Sequence, residues 1–166
     1  MFSWVKKIFS LLLRSKKSLE MSLERFVEAQ EKSYYNTTDT SYELALREIR
    51  NGRKESHWIW FIFPQLEGFG ESYNSTYYGI KDLAEAEAYL HHPILGTRLV
   101  EISSALCALN ETNPEKIVGW DDKKLCSCMT LFSQVKDSHP IFIQVLDKYF
   151  SGKMDHKTLD KLKPFI

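Results

Sequence analysis

The sequence predicts a mostly α, single multi-helix domain with an irregular aromatic and Gly-rich loop region, preceded by an amphipathic N-terminal helix. Helix-start signals recur: Thr40 with Glu43 and Asp82 with Glu85 have capping-box spacing, and Asn113–Pro114 and His139–Pro140 put proline where helices begin. Gly52, Gly119 and Gly152 stand where helices would end. No run of alternating apolar and polar residues bounded by hairpin turns occurs. At 166 residues and 43% apolar, the chain can bury one core without staples.

Residues 1–20 form a separate arm. They carry five basic side chains (Lys6, Lys7, Arg14, Lys16, Lys17) against Glu20. Val5, Ile8, Phe9 and Leu12 fall on one helical stripe with Trp4 at its edge, and the bases gather opposite. The apolar run is too short to span a bilayer and too poor in cleavage features for a signal peptide. The pattern fits a helix lying on an anionic membrane surface or packed on a partner protein. Met21 is an alternative start, and the domain is read as residues 21–166.

The body then reads as a series of helices. Ser22 is expected to cap one that buries Leu23, Phe26, Val27 and Gln30. Thr40 opens the next and Gly52 stops it. Trp58–Phe63 is apolar on every side and fits a buried strand or a buried helical turn. Glu67–Gly79 is an irregular loop. Asp82 opens a helix through LAEAEAYLHH. Pro93 begins one with Ile94, Leu95, Leu99, Ile102, Leu106 and Leu109 on its apolar face, and Asn113 opens a short one ended by Gly119. Asp121 or Asp122 is expected to cap a helix burying Leu125, Met129 and Phe132. His139–Pro140 opens another, and Asp155 caps the last.

Candidate chemistry concentrates in GRKESHWIWFIFPQLEGFG, Gly52–Gly70. Arg53 and Lys54 either face the carbonyl end of the preceding helix or clamp a phosphate or carboxylate. Ser56 caps a turn or touches a ligand. His57, of the residue type suited to proton transfer near neutrality, is either a hydrogen-bonded rim residue or an acid–base group. Trp58 and Trp60 fill core or stack a ring, and a buried indole N–H needs a partner. Gln65 suits reading a ligand's edge. In a second cluster, His92 precedes Pro93 as helix cap or ligand contact, and Arg98 lies one turn inside the helix. A third holds Asp122 as cap or acid–base group, with Lys124, Ser127 and Thr130 as polar contacts; Ser127 and Thr130 share a helix face.

These motifs, from RFVEAQ through GRKESHWIWFIFPQ, Tyr78–Ile80 and His92–Leu99 to Lys124–Phe132, resemble a bacterial and fungal family known as domain of unknown function 1810. The resemblance spans Leu23–Leu162 and draws Tyr78 into the candidate set. Cys128 departs from it, standing where many relatives have Ser. It implies a small, soluble, mostly helical protein, brings no established activity, and its members commonly begin close to Met21. A fainter similarity in motif order links the chain to proteins that process ADP-ribose derivatives.

The residues together suggest an enzyme or binder acting on a phosphorylated, ring-bearing ligand, nucleotide-like or ADP-ribose-like. Hydrolysis of a glycosidic bond needs the least machinery, with His57 and Asp122 as catalytic candidates. The competing reading is a non-catalytic interaction module tethered to a membrane or partner by its first helix. No cofactor or metal is expected: Cys126 and Cys128 lack a second pair or a His at ligand spacing. Acidic side chains outnumber basic ones 21 to 17 beyond residue 20, which argues against nucleic acid. The odd cysteine count points to a reducing, cytoplasmic setting, with the arm reaching the membrane periphery.

Overall fold

A computed structural model of the chain describes residues 2–34 and 37–165. Its first helix, α1, runs unbroken over Phe2–Glu31. Neither glycine nor proline interrupts it, so the basic arm and the first segment of the body form one rod. Ser22 therefore caps no helix start. It lies mid-helix, and its hydroxyl reaches the Leu19 carbonyl and the Glu85 carboxylate. Burial begins at Leu23; residues 4–18 are exposed except for the half-buried Ile8. No helix among the described residues is long and apolar enough to cross a membrane.

Helix α2, Ser41–Arg50, starts with a complete capping box: Thr40 accepts from the Glu43 N–H at 3.2 Å, and the Glu43 carboxylate accepts from the Thr40 N–H at 2.8 Å. It ends in a Schellman closure, with the Gly52 N–H on the Ile49 carbonyl and the Arg53 N–H on the Glu48 carbonyl. That turn needs φ +78° at residue 52, a conformation open to glycine. Trp58–Phe63 is helical at its centre: α3, Ile59–Ile62, is a single turn with Ile59 and Ile62 buried and Trp60 and Phe61 half-buried.

Leu66 and Ile80 then pair as an isolated parallel bridge, so residues 67–79 leave and return to one point as an Ω-loop. The loop contains α4, Tyr73–Tyr77. Helix α5, Leu83–His91, is capped by Asp82, which accepts from the Glu85 N–H at 2.9 Å. The box is not completed, because the Glu85 carboxylate turns inward to Arg25, Ser22 and the Lys81 N–H.

Helices α6, Leu95–Cys107, and α9, Ile141–Phe150, are both entered through His-Pro-Ile. The His92 Nδ1 accepts from the Ile94 and Leu95 N–H groups, and the His139 Nδ1 accepts from that of Ile141. Gly96 sits at the α5–α6 corner, where a Cβ would stand 1.9 Å from the Leu90 carbonyl oxygen. Between α6 and α9 come α7, Pro114–Val118, a 3-10 turn at Gly119–Asp121, and α8, Asp122–Ser133. Asp121 does not cap α8 with its side chain, and Asp122 is that helix's first residue. Helix α10, His156–Leu162, follows Asp155, which caps it.

The pairs α8–α9, α6–α9 and α5–α6 build the centre; α2 lies on α6, and α1 crosses α2, α3 and α5. One hydrophobic cluster runs through them all. The extended pairings among the described residues are two isolated bridges, and no buried side-chain N or O atom among those residues lacks a partner.

Candidate functional site

Several polar groups of the Gly52–Gln65 segment, those of Lys54, Ser56 and Trp58 among them, turn toward the protein. Their main anchor is Glu48 on α2, only 5% exposed. Its carboxylate accepts the Glu55 and Ser56 N–H groups at 2.8 and 3.0 Å, the Ser56 hydroxyl at 2.5 Å, and the Trp58 indole N–H at 2.7 Å. Burial alone would raise the Glu48 carboxyl; these donors, the Ser56 hydroxyl foremost, outweigh it and hold the group below the usual carboxylate range. Trp58 is fully buried and presents no ring face to solvent. Ser56 is half-buried with its hydroxyl on Glu48.

Lys54 docks the same segment to the start of α8. Its ammonium lies 3.0 Å from one Asp121 oxygen while Lys124 holds the other at 2.8 Å, and it sits over the Trp58 ring. Burial raises the Asp121 carboxyl, but hydrogen bonds from Lys124 and Lys54 bring it below its ordinary value. Arg53 and His57 are exposed, and the His57 N–H donates to the Tyr34 hydroxyl.

The second cluster is also structural. His92 caps α6 through its ring. Arg98 spans from α6 to α1, bonding Gln30 and Glu31 and stacking over Tyr42. In the third cluster, the Thr130 hydroxyl is fully buried and accepts the Asp155 N–H at 2.9 Å. The Ser127 hydroxyl lies 3.0 Å from an Asp155 carboxylate oxygen. Together they seat α10 on α8.

A cleft of about 1080 Å³ opens where the Ω-loop, the start of α8 and α10 meet. Of the residues singled out in the sequence, Gln65, Asp122, Lys124 and Ser127 line it. Trp60 and Tyr78 line a narrow crevice that shares Gln65, Ser75 and Lys124 with the cleft. Arg53, Lys54, Ser56, His57, Trp58, His92, Arg98 and Thr130 are outside both. The cleft adds residues that sequence reasoning passed over: Trp120 at its rim, 98% exposed, with Phe69, Lys123, Lys157, Asp160 and Lys161.

Two cross-links hold the Ω-loop. On its returning side, Arg25 donates to the Tyr77 and Gly79 carbonyls at 2.8 and 3.0 Å and to buried Glu85 at 2.8 Å. On the cleft side, the Lys161 ammonium reaches the Glu67 carbonyl at 2.9 Å and lies over the Phe69 ring. Chemically, the cleft offers cations for anionic groups, an indole face for a ring, and carboxylates at Asp122 and Asp160. Cys126 also lines it, but burial, with Asp155 nearby, pushes its thiol up to about 11, so it stays protonated at neutral pH. Among the described residues no His, Cys, Asp and Glu cluster could hold a metal ion.

Residues 20–162 match a family model described as "Protein of unknown function (DUF1810)". Among solved structures, the chain is similar to the conserved hypothetical protein Rv1873 from Mycobacterium tuberculosis. Identity is 42% over 86% of this chain and 96% of that one, with a TM-score of 0.79. Among curated proteins nothing matches.

Proposed function

The chain belongs to the DUF1810 family, and on that premise we propose that its cleft binds a small, phosphorylated, ring-bearing molecule of nucleotide-like or ADP-ribose-like chemistry. The observation that carries this reading is Trp120. A tryptophan 98% exposed at the mouth of a cleft also lined by the exposed Lys123 and Lys157 supplies the two contacts such a ligand needs. The indole stacks the ring, and the ammonium groups receive the phosphate. Gln65, which also lines the cleft, would hydrogen-bond the ring's edge. In a hydrolytic reading, the carboxylates that would support a developing cation or direct a water are Asp122 and Asp160, and His57 takes no part because it lies outside the cleft.

The test is a binding screen on the full chain with nucleotides, ADP-ribose and sugar phosphates, read by calorimetry and by tryptophan fluorescence. A ligand that stacks on Trp120 quenches fluorescence, and Trp120→Ala and Lys123→Met each weaken its binding in calorimetry. A ligand at ten times its dissociation constant raises stability by about 1.4 kcal/mol, which a melting curve also detects. If no member of the panel binds, or if both variants bind like the parent, the reading fails.

A further inference from the structure

The fold leaves one carboxylate of the cleft unspent. Among the described residues, every other Asp or Glu that is buried or half-buried has an ion-pair or hydrogen-bond partner, Glu48, Glu85, Asp121 and Asp155 among them. Asp122 is half-buried and has none. As the first residue of α8 it meets the positive end of that helix's dipole, which favours its charge and leaves both carboxylate oxygens free to accept. A carboxylate partly withdrawn from water gains from donors that bond it. Asp122 lines the cleft, so those donors can come from a ligand.

Its neighbours select the donors. Trp120 stands two residues before it and Lys123 directly after it. Both line the cleft, both are exposed, and neither side chain has an ion-pair or hydrogen-bond partner among the described residues. A cationic donor on the ligand would face Lys123 and Lys124 as well as Asp122, like charge against like. A pair of hydroxyl groups is neutral, donates to both carboxylate oxygens and meets no such repulsion. Glu71, also unpaired in the cleft, is exposed on the Ω-loop, and its hydration leaves it less to gain.

The order Trp120, Asp122, Lys123 then corresponds to ring, cis-diol and phosphate, the order of groups in a ribonucleotide. We infer that Asp122 is the residue by which the cleft selects a ribose. Its carboxylate accepts the 2′- and 3′-hydroxyls of a ribonucleotide whose ring lies on Trp120 and whose phosphate meets Lys123. This rests on the reading of the cleft as a site for a phosphorylated, ring-bearing ligand, and narrows that ligand to the ribo form. It gives Asp122 a binding role that stands whether or not a reaction follows.

Calorimetry on the full chain tests it, with AMP, GMP, CMP, UMP and ADP-ribose, each beside its 2′-deoxy counterpart. A ribo form that binds is expected to do so about tenfold or more tighter than its deoxy partner, the worth of a hydrogen bond to a charged acceptor. Asp122→Ala should bring the two forms to similar affinity, chiefly by weakening the ribo form, while Glu71→Ala keeps the preference. Should circular dichroism show Asp122→Ala unfolded, Asp122→Asn decides: it keeps the shape, loses the charge and should reduce the preference. Equal binding of ribo and deoxy forms by the parent overturns the inference and leaves the reading of the cleft standing. A preference unchanged in the folded Asp122 variant, or removed by Glu71→Ala, overturns it too, by placing the ribose elsewhere. If none of these ribonucleotides binds, the inference and the nucleotide reading of the cleft fall together.

Discussion

The Gly52–Gln65 segment and the cleft beside Trp120 hold similar residue types and use them in opposite ways. In the segment, Glu48 takes up the polar atoms of Glu55, Ser56 and Trp58, while Asp121 takes up Lys54. In the cleft, Trp120 is almost wholly exposed, and Lys123 and Lys157 are exposed as well. A side chain already satisfied within the fold has little left to offer a ligand, because recruiting it means breaking a buried hydrogen bond that costs about 1–3 kcal/mol to lose. Aromatic density marked the segment as a site. Unsatisfied exposure marks the cleft.

The largest test of that contrast is Glu48→Ala. It leaves an indole N–H and two backbone N–H groups without their acceptor, and the expected loss is about 3–5 kcal/mol in urea denaturation. A loss below about 1 kcal/mol would mean that the segment is not braced from within.

Acid should act on the same braces. Glu48, Glu85 and Asp121 are held below their ordinary values in the folded chain, despite burial that opposes this, so on acidification the unfolded chain takes up protons first. Their contribution is complete above the ordinary carboxylate range and is lost as pH falls through the depressed folded values. Melting temperature should hold near neutrality and drop steeply below about pH 4. Glu48→Gln should flatten part of that drop, and an unchanged profile would remove Glu48 from the account.

Lys54→Met should cost about 2 kcal/mol, by freeing one Asp121 oxygen from a pair whose side chains are 11% and 18% exposed. Binding in the cleft should survive where the variant remains folded, since Lys54 does not line it. Trp120→Ala has the smallest effect on stability, within about 0.5 kcal/mol by denaturation. Equal losses from Lys54→Met and Trp120→Ala would erase the distinction between the two regions.

Much of the helical order was legible because its signals are local. Thr40 with Glu43, Asn113 with Pro114, and Asp155 each act within four residues, and each caps the helix expected of it. His92 as a cap was legible for the same reason. Ser22 misled because capping residues also occur inside helices, where a distant acceptor such as Glu85 employs them. Asp121 misled similarly: its carboxylate is drawn off by Lys54, 67 positions earlier in the chain, and by Lys124. The requirement for an indole acceptor at Trp58 could be stated from sequence, yet nothing local identified Glu48 as that acceptor.

By itself the sequence determined the helices, their punctuation, the apolar arm with its lysines, and the family resemblance, since each depends on spacing within a turn or on motif order. Only the tertiary structure decided which polar residues are consumed by the fold and which stay open. Gln65, Trp120, Asp122, Lys123 and Lys157 come from the stretch just before the Ω-loop, a turn and two helices that meet only when the chain closes on itself. That convergence is set by packing between helices distant in the chain, and no local periodicity encodes it.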